Sequence, residues 1–196
     1  MSVSDGNASP ISISDFDSTA VVTDLNNLGI PSPSNVAAPL TVGIYTFTTD
    51  DNQLRYVAFG VGNSNALGNN TDLGFINIAI APGANVTKFG FLVGLAGEAQ
   101  QNSETVTFFD TNNVLLGSIA VSRSGGFGFV GWEDTAGYIG RALVQDTDLN
   151  SSVVTIDNLV VQTIPIPAAL PLFASGLGAL GLLGWRRKRK AAAAVQ

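Results

Sequence analysis

Cysteine and histidine are both absent from the 196 residues, and their absence closes off much of protein chemistry. It leaves no disulfide, no thiolate nucleophile, no Cys/His zinc site and no Ser-His-Asp triad. The side chain that ordinarily titrates near neutral pH is missing too. Positive charge is also scarce: nine Lys and Arg face fifteen Asp and Glu, and five of the nine cations stand together at 186–190. Ahead of Trp185, four cations oppose fifteen acids, a balance of −11. A surface that acidic repels phosphate backbones, so no nucleic-acid partner is expected for the body of the chain. Carboxylates are the main ionisable chemistry left, and Glu98, Glu104 and Glu133 are the only glutamates. Glycoside hydrolysis needs two carboxylates flanking one bond. No spacing brings any pair together, so a non-catalytic protein is expected.

What the body does contain, between Ile11 and Thr163, is short apolar-polar alternation broken by Gly, Asn, Asp and Pro, the pattern of strands and turns. Strands are expected at 11–16, 43–48, 54–60, 74–81, 88–93, 105–109, 115–121, 127–132, 139–143 and 153–162, with a proline-marked loop at 29–40. Pro82-Gly83, Asp110 to Asn113 and Ser124 to Gly126 supply turn residues. So many short strands at such spacing predict an all-β fold over 1–163, a two-sheet antiparallel β-sandwich that is jelly-roll-like. Gly125 to Gly128 lacks the Lys-Ser/Thr and the following helix of a phosphate loop.

The last segment, 164–196, differs in kind. Residues 168–185 carry no charge, and as a helix they would span about 27 Å, the lower limit for a hydrocarbon core. Trp185 stands where an interfacial aromatic belongs. Arg186, Arg187, Lys188, Arg189 and Lys190 form a stop-transfer block that places the body outside the cytoplasm. A single C-terminal transmembrane helix is therefore expected. The opening MSVSDGNASP has neither the basic nor the apolar region of a secretory signal, so a start further upstream is expected. Ahead of the apolar run stand Ile164, Pro165, Ile166, Pro167 and Ala168, whose X-Pro units resist helix and hold the segment extended.

A proline motif, an apolar helix and a basic end in this order closely resemble the PEP-CTERM family of bacterial sorting tails, in particular its VPLPA type. Position 166 is Ile where the type motif has Glu. The resemblance implies that an exosortase, an integral-membrane processing enzyme, cleaves near the proline motif, and that the body passes from a membrane-anchored precursor to the cell surface or extracellular matrix. The body also resembles β-sandwich proteins that carry such tails, through 13–17, Phe89-Gly90-Phe91, 106–110, 115–117 and 155–159.

In many carbohydrate-binding jelly rolls the first and last strands lie side by side and an acidic residue from each helps hold a structural calcium. That implies Asp17 and Asp157, with Asp15 and Asn158 nearby, as a candidate calcium set, since calcium takes six to eight oxygens. The competing reading makes the same residues solvated turns and edges. Trp132 and Tyr138 are candidates for a sugar-stacking platform, with Glu133, Asp134 and Arg141 at hand for hydroxyls. The competing reading places Trp132 in the core. Two functions follow: an exported, non-catalytic surface or matrix protein sorted through its tail, and a carbohydrate-binding module recognising exopolysaccharide.

Overall fold

The computed structural model describes residues 8–58, 65–71, 74–96, 101–124, 126–135, 137–147 and 153–163. The chain divides into two units, Met1–Thr163 and Ile164–Gln196, and everything described belongs to the first. The proline motif, the apolar run and the basic block of 164–190, on which the expected sorting tail and transmembrane helix rest, lie outside the described residues. Among the described residues no helix is long and apolar enough to cross a membrane.

Among the described residues fourteen strands follow in order: β1 (Ala8–Ile11), β2 (Val21–Thr23), β3 (Ser34–Ala37), β4 (Leu40–Val42), β5 (Tyr45–Thr49), β6 (Gln53–Val57), β7 (Ala66–Asn69), β8 (Phe75–Ile80), β9 (Val86–Ala96), β10 (Gln101–Asp110), β11 (Leu115–Ser124), β12 (Gly128–Asp134), β13 (Ile139–Asp146) and β14 (Val153–Thr163). One sheet has eight strands in the order β1-β12-β9-β14-β7-β6-β3, with β2 also paired to β14, and the other has six in the order β11-β10-β13-β8-β5-β4. Every pairing is antiparallel. The expected two-sheet antiparallel sandwich is present.

Alternation decides which face each strand turns inward. In β8, Ile76, Ile78 and Ile80 are buried while Phe75, Asn77 and Ala79 stand on the outer side. In β5, Tyr45, Phe47 and Thr49 are buried and the two threonines between them are not. The inward residues of both sheets meet in an aromatic cluster. Phe89 stacks on Tyr45 at 5.8 Å, meets Phe108 edge-on at 6.3 Å and lies 5.4 Å from Phe91, and Trp132 stacks on Phe108 at 5.5 Å. Burying each such ring contributes about 1.5–3 kcal/mol, and offset or edge-on contacts add roughly 0.5–1.5 kcal/mol per pair.

Several strand bounds differ from expectation. The span 11–16 holds the end of β1 and one turn of 3-10 helix, Ile13–Asp15, whose start is closed by Ser12 donating its N–H and hydroxyl to the Asp15 carboxylate at 2.6 and 2.8 Å. The loop expected at 29–40 contains β3, which pairs with β6 through Ser34↔Tyr56 to Ala37↔Gln53. Strands β2, β4 and β7 were not expected either. They have only three or four residues each, too few to establish an alternation.

Candidate functional site

The sequence candidates separate in space. Trp132 is not a platform: it is 5% exposed, lies against Phe108 in the core, and is out of reach of a ligand. Its strand places Val130, Trp132 and Asp134 inward, all buried, and leaves Phe129 and Glu133 half-buried on the other side. Glu133 lies 3.6 Å from Lys88 in an ion pair. Asp134 accepts the Gly137 N–H at 3.1 Å.

The calcium set does not assemble. The first strand, β1, pairs with β12; it is β2 that meets the last described strand, with Leu159↔Thr23 to Val161↔Val21 joining β2 and β14, but the Asp17 carboxylate meets Gln162, whose amide donates to it at 2.7 Å. Gln162 is five residues from Asp157, roughly 16 Å along a strand. The other Asp17 oxygen accepts the Thr19 N–H and hydroxyl at 2.7 and 2.5 Å. Those two bonds hold the Asp17 carboxyl below the ordinary carboxylate value. The Asp15 carboxylate is lowered similarly by Ser12. Asp157 is fully buried at a register shift in β14, where Asn158 has φ 47 and donates its N–H to the Asp157 carboxylate at 2.8 Å. Among the described residues no group of three or more His, Cys, Asp or Glu is placed to hold a metal ion.

Tyr138 has a different setting. It is half-buried and lines a cavity of about 320 Å³ together with Pro82, Asn85, Asp110, Asn113 and Arg141. Three connections build the walls: the turn after β8, the β10–β11 hairpin and the start of β13. Asp110 shapes the hairpin by accepting the N–H groups of Asn112 and Val114 at 2.8 and 2.7 Å. Asn85 and Asn113 take positive φ of 52 and 65, a conformation that Asn tolerates better than most side chains. The Thr111 N–H donates to the Tyr138 carbonyl at 3.1 Å, which ties the hairpin to the aromatic side chain's own backbone. Gly140 permits that approach, since a Cβ there would stand 2.5 Å from the Asp110 carbonyl oxygen.

Arg141 is the best-positioned group in the cavity. Its guanidinium carbon lies 3.5 Å from the centroid of the Phe109 ring, its directly cross-strand neighbour, within cation–π range. Nε donates to Asn113 Oδ1 at 2.5 Å and Nη1 to Asn77 Oδ1 at 3.2 Å. Asn77 in turn donates to the Thr48 hydroxyl at 3.2 Å. Partial burial pushes the Arg141 pKa down from its ordinary value, and the group stays protonated at neutral pH. A ring with an apolar face, a planar donor fork and amide or carboxyl oxygens thus converge on one concavity, the composition of a small-molecule site.

Glu104 and Asp146, which pair directly across β10 and β13, are 1% and 2% exposed. They lie at the opposite end of β10, six residues from Asp110. A second, shallower depression of about 430 Å³ is lined by Pro33, Ser34, Asn35, Arg55 and Asn70, with no aromatic ring. Sequence reasoning found Tyr138 and Arg141. It read Asp110, Asn113 and Pro82 only as turn formers and passed over Asn77, Asn85 and Phe109; the turn signal was visible, but not which turns share an end of the sandwich.

No family model matches the chain, and no curated protein matches it. Solved structures are similar in fold. A variant of a family 29 carbohydrate-binding module complexed with cellulohexaose is 13% identical, with a TM-score of 0.45 over 74% of this chain and 92% of that one. A family 6 module from Clostridium stercorarium in complex with cellobiose is 16% identical, with a TM-score of 0.38 over 67% of this chain and 94% of that one. A glycoside hydrolase family 43 arabinoxylan arabinofuranohydrolase from Bacillus subtilis is 12% identical, with a TM-score of 0.38 over 62% of this chain and 28% of that one.

Proposed function

We propose that the β-sandwich is a non-catalytic carbohydrate-binding module. The observation that carries this reading is the meeting of Tyr138, Arg141, Asn85, Asn113 and Asp110 around one cavity. A sugar ring presents CH groups on its faces and hydroxyls, both donors and acceptors, around its rim. Tyr138 offers an aromatic surface for the former. The guanidinium and the Asn113 amide, joined by a hydrogen bond before any ligand arrives, address the latter without a large ordering cost.

Its place in the cell follows from the tail. Residues 164–168, 168–185 and 186–190 support export of the body, anchorage as a precursor and exosortase processing toward the cell surface or matrix, with an exopolysaccharide as the proposed ligand. A glycan array followed by calorimetric titration tests the binding reading. At least one polysaccharide class is expected to bind, and Tyr138→Ala is expected to weaken it about tenfold or more, as truncation of an aromatic anchor does. A flat array overturns the reading.

A further inference from the structure

We infer that the Tyr138–Arg141 cavity selects sugars bearing a carboxylate, such as the uronic acid units of an acidic polysaccharide; the inference rests on the carbohydrate reading and narrows it. Arg141 is held entirely by groups without charge: the Phe109 ring beneath it and the amide oxygens of Asn113 and Asn77 at its edge. These partners fix its orientation and leave its charge unneutralised. Lys88, by contrast, has a carboxylate partner in Glu133 at 3.6 Å. The one carboxylate lining the same cavity, Asp110, is engaged by the backbone of its own hairpin.

An arginine has five N–H donors in a planar fork. Among the described residues two are engaged, which leaves three, on Nη1 and Nη2, for a ligand. A carboxylate accepts such a fork through two parallel hydrogen bonds, which are stronger than the bonds a neutral hydroxyl makes. Partial burial strengthens the demand for a counter-charge, because a charge withdrawn from water has lost hydration that only an opposite charge or strong acceptors restore. The body's balance of −11 ahead of Trp185 opposes any polyanion at long range, so the selection acts at contact, where the fixed cation beside the tyrosine outweighs a repulsion that salt screens beyond about 8 Å. The depression at Arg55 has no aromatic ring in its lining.

The test is calorimetric titration of the full-length chain in detergent at about 0.15 M salt, where charges beyond about 8 Å are screened. The probes are tetragalacturonate and tetraglucuronate, each beside its carboxyl-reduced, neutral counterpart. At least one acidic oligomer is expected to bind about tenfold or more tightly than its reduced form, the difference between a charge-assisted and a neutral hydrogen-bonded pair. Arg141→Gln is expected to abolish that difference and Arg141→Lys to keep part of it. Equal binding of acidic and reduced oligomers overturns the inference and leaves the carbohydrate reading standing; binding of neither also overturns the inference, and the carbohydrate reading then falls only if the glycan array is flat as well. If Arg141→Gln retains the preference, the assignment to Arg141 is wrong. If that variant does not fold, the ratio measured on the wild-type chain still decides.

Discussion

Gly117→Ala tests whether Trp132 is a core residue that locks the sandwich. Gly117 pairs with Phe108 in the β10–β11 hairpin, and a Cβ placed on it would stand 2.2 Å from Cη2 and 2.5 Å from Cζ2 of the Trp132 ring. The indole has no room to retreat, since it is stacked on Phe108 at 5.5 Å, and Phe108 is wedged against Phe89 and Phe91. Overpacking of this kind costs about 1–3 kcal/mol. Alanine would otherwise gain roughly 0.5–1 kcal/mol over glycine in a strand, so a net loss of about 1–2 kcal/mol is expected. For a domain of this size that lowers the melting midpoint by roughly 2–8 °C. Urea denaturation followed by tryptophan fluorescence reads it directly, because the chain's two tryptophans are Trp132 in the body and Trp185 in the tail. In a Trp132→Phe background, where the ring is smaller, the same substitution is expected to cost about 1 kcal/mol less, a coupling within the range for residues in contact. If Gly117→Ala were neutral or stabilising, Trp132 would be free to move outward and its core role would be refuted.

Three further outcomes are expected. Asn113→Gly keeps a residue that accepts φ near 65 and removes the oxygen that holds Arg141 Nε; the thermal midpoint should stay within a few degrees while affinity for the preferred glycan falls roughly three- to tenfold, and unchanged affinity on titration would count against the clamp. Thr19→Val removes the hydroxyl that most depresses the Asp17 pKa, so carboxyl NMR should show that pKa rising toward 3.8. Because the folded-state value lies below the unfolded one, the stabilisation from Asp17 is present above about pH 4 and disappears as pH falls through the folded value; an unmoved Asp17 titration would contradict this account. Finally, the body recovered from the outer surface of its native cells should have the mass of a chain ending near the motif at 164–168, and replacing Pro165 and Pro167 by Ala should retain full-length protein in the membrane. An uncleaved wild type would make the tail a permanent anchor.

The fold was legible where one strand face is apolar and the other is not. Residues 75–80 and 45–49 alternate so regularly that strand type and facing could be read directly. Trp132 shows where that reading fails. Its strand carries Phe129 on one face and Val130 and Trp132 on the other, so the period is clear but the phase is not, and phase decides whether an aromatic is core or platform. Asp17 and Asp157 illustrate a second limit. That β2 and β14 lie together is a matter of topology, but which side chains meet is a matter of register, and here Asp17 is set against Gln162.

The sequence by itself therefore determined the class of fold, the chemistry that is ruled out by having no cysteine or histidine, the acidity of the body and the distinct character of the tail. These depend on composition and on correlations a few residues long. The tertiary structure alone decided that the turn after β8, the β10–β11 hairpin and the start of β13 close around Tyr138 and Arg141, and that neutral groups fix the guanidinium. The residues involved, from Asn77 to Arg141, are separated by up to 64 positions. Their meeting follows from the order in which strands add to the six-stranded sheet, a choice made by the free energy of the whole core.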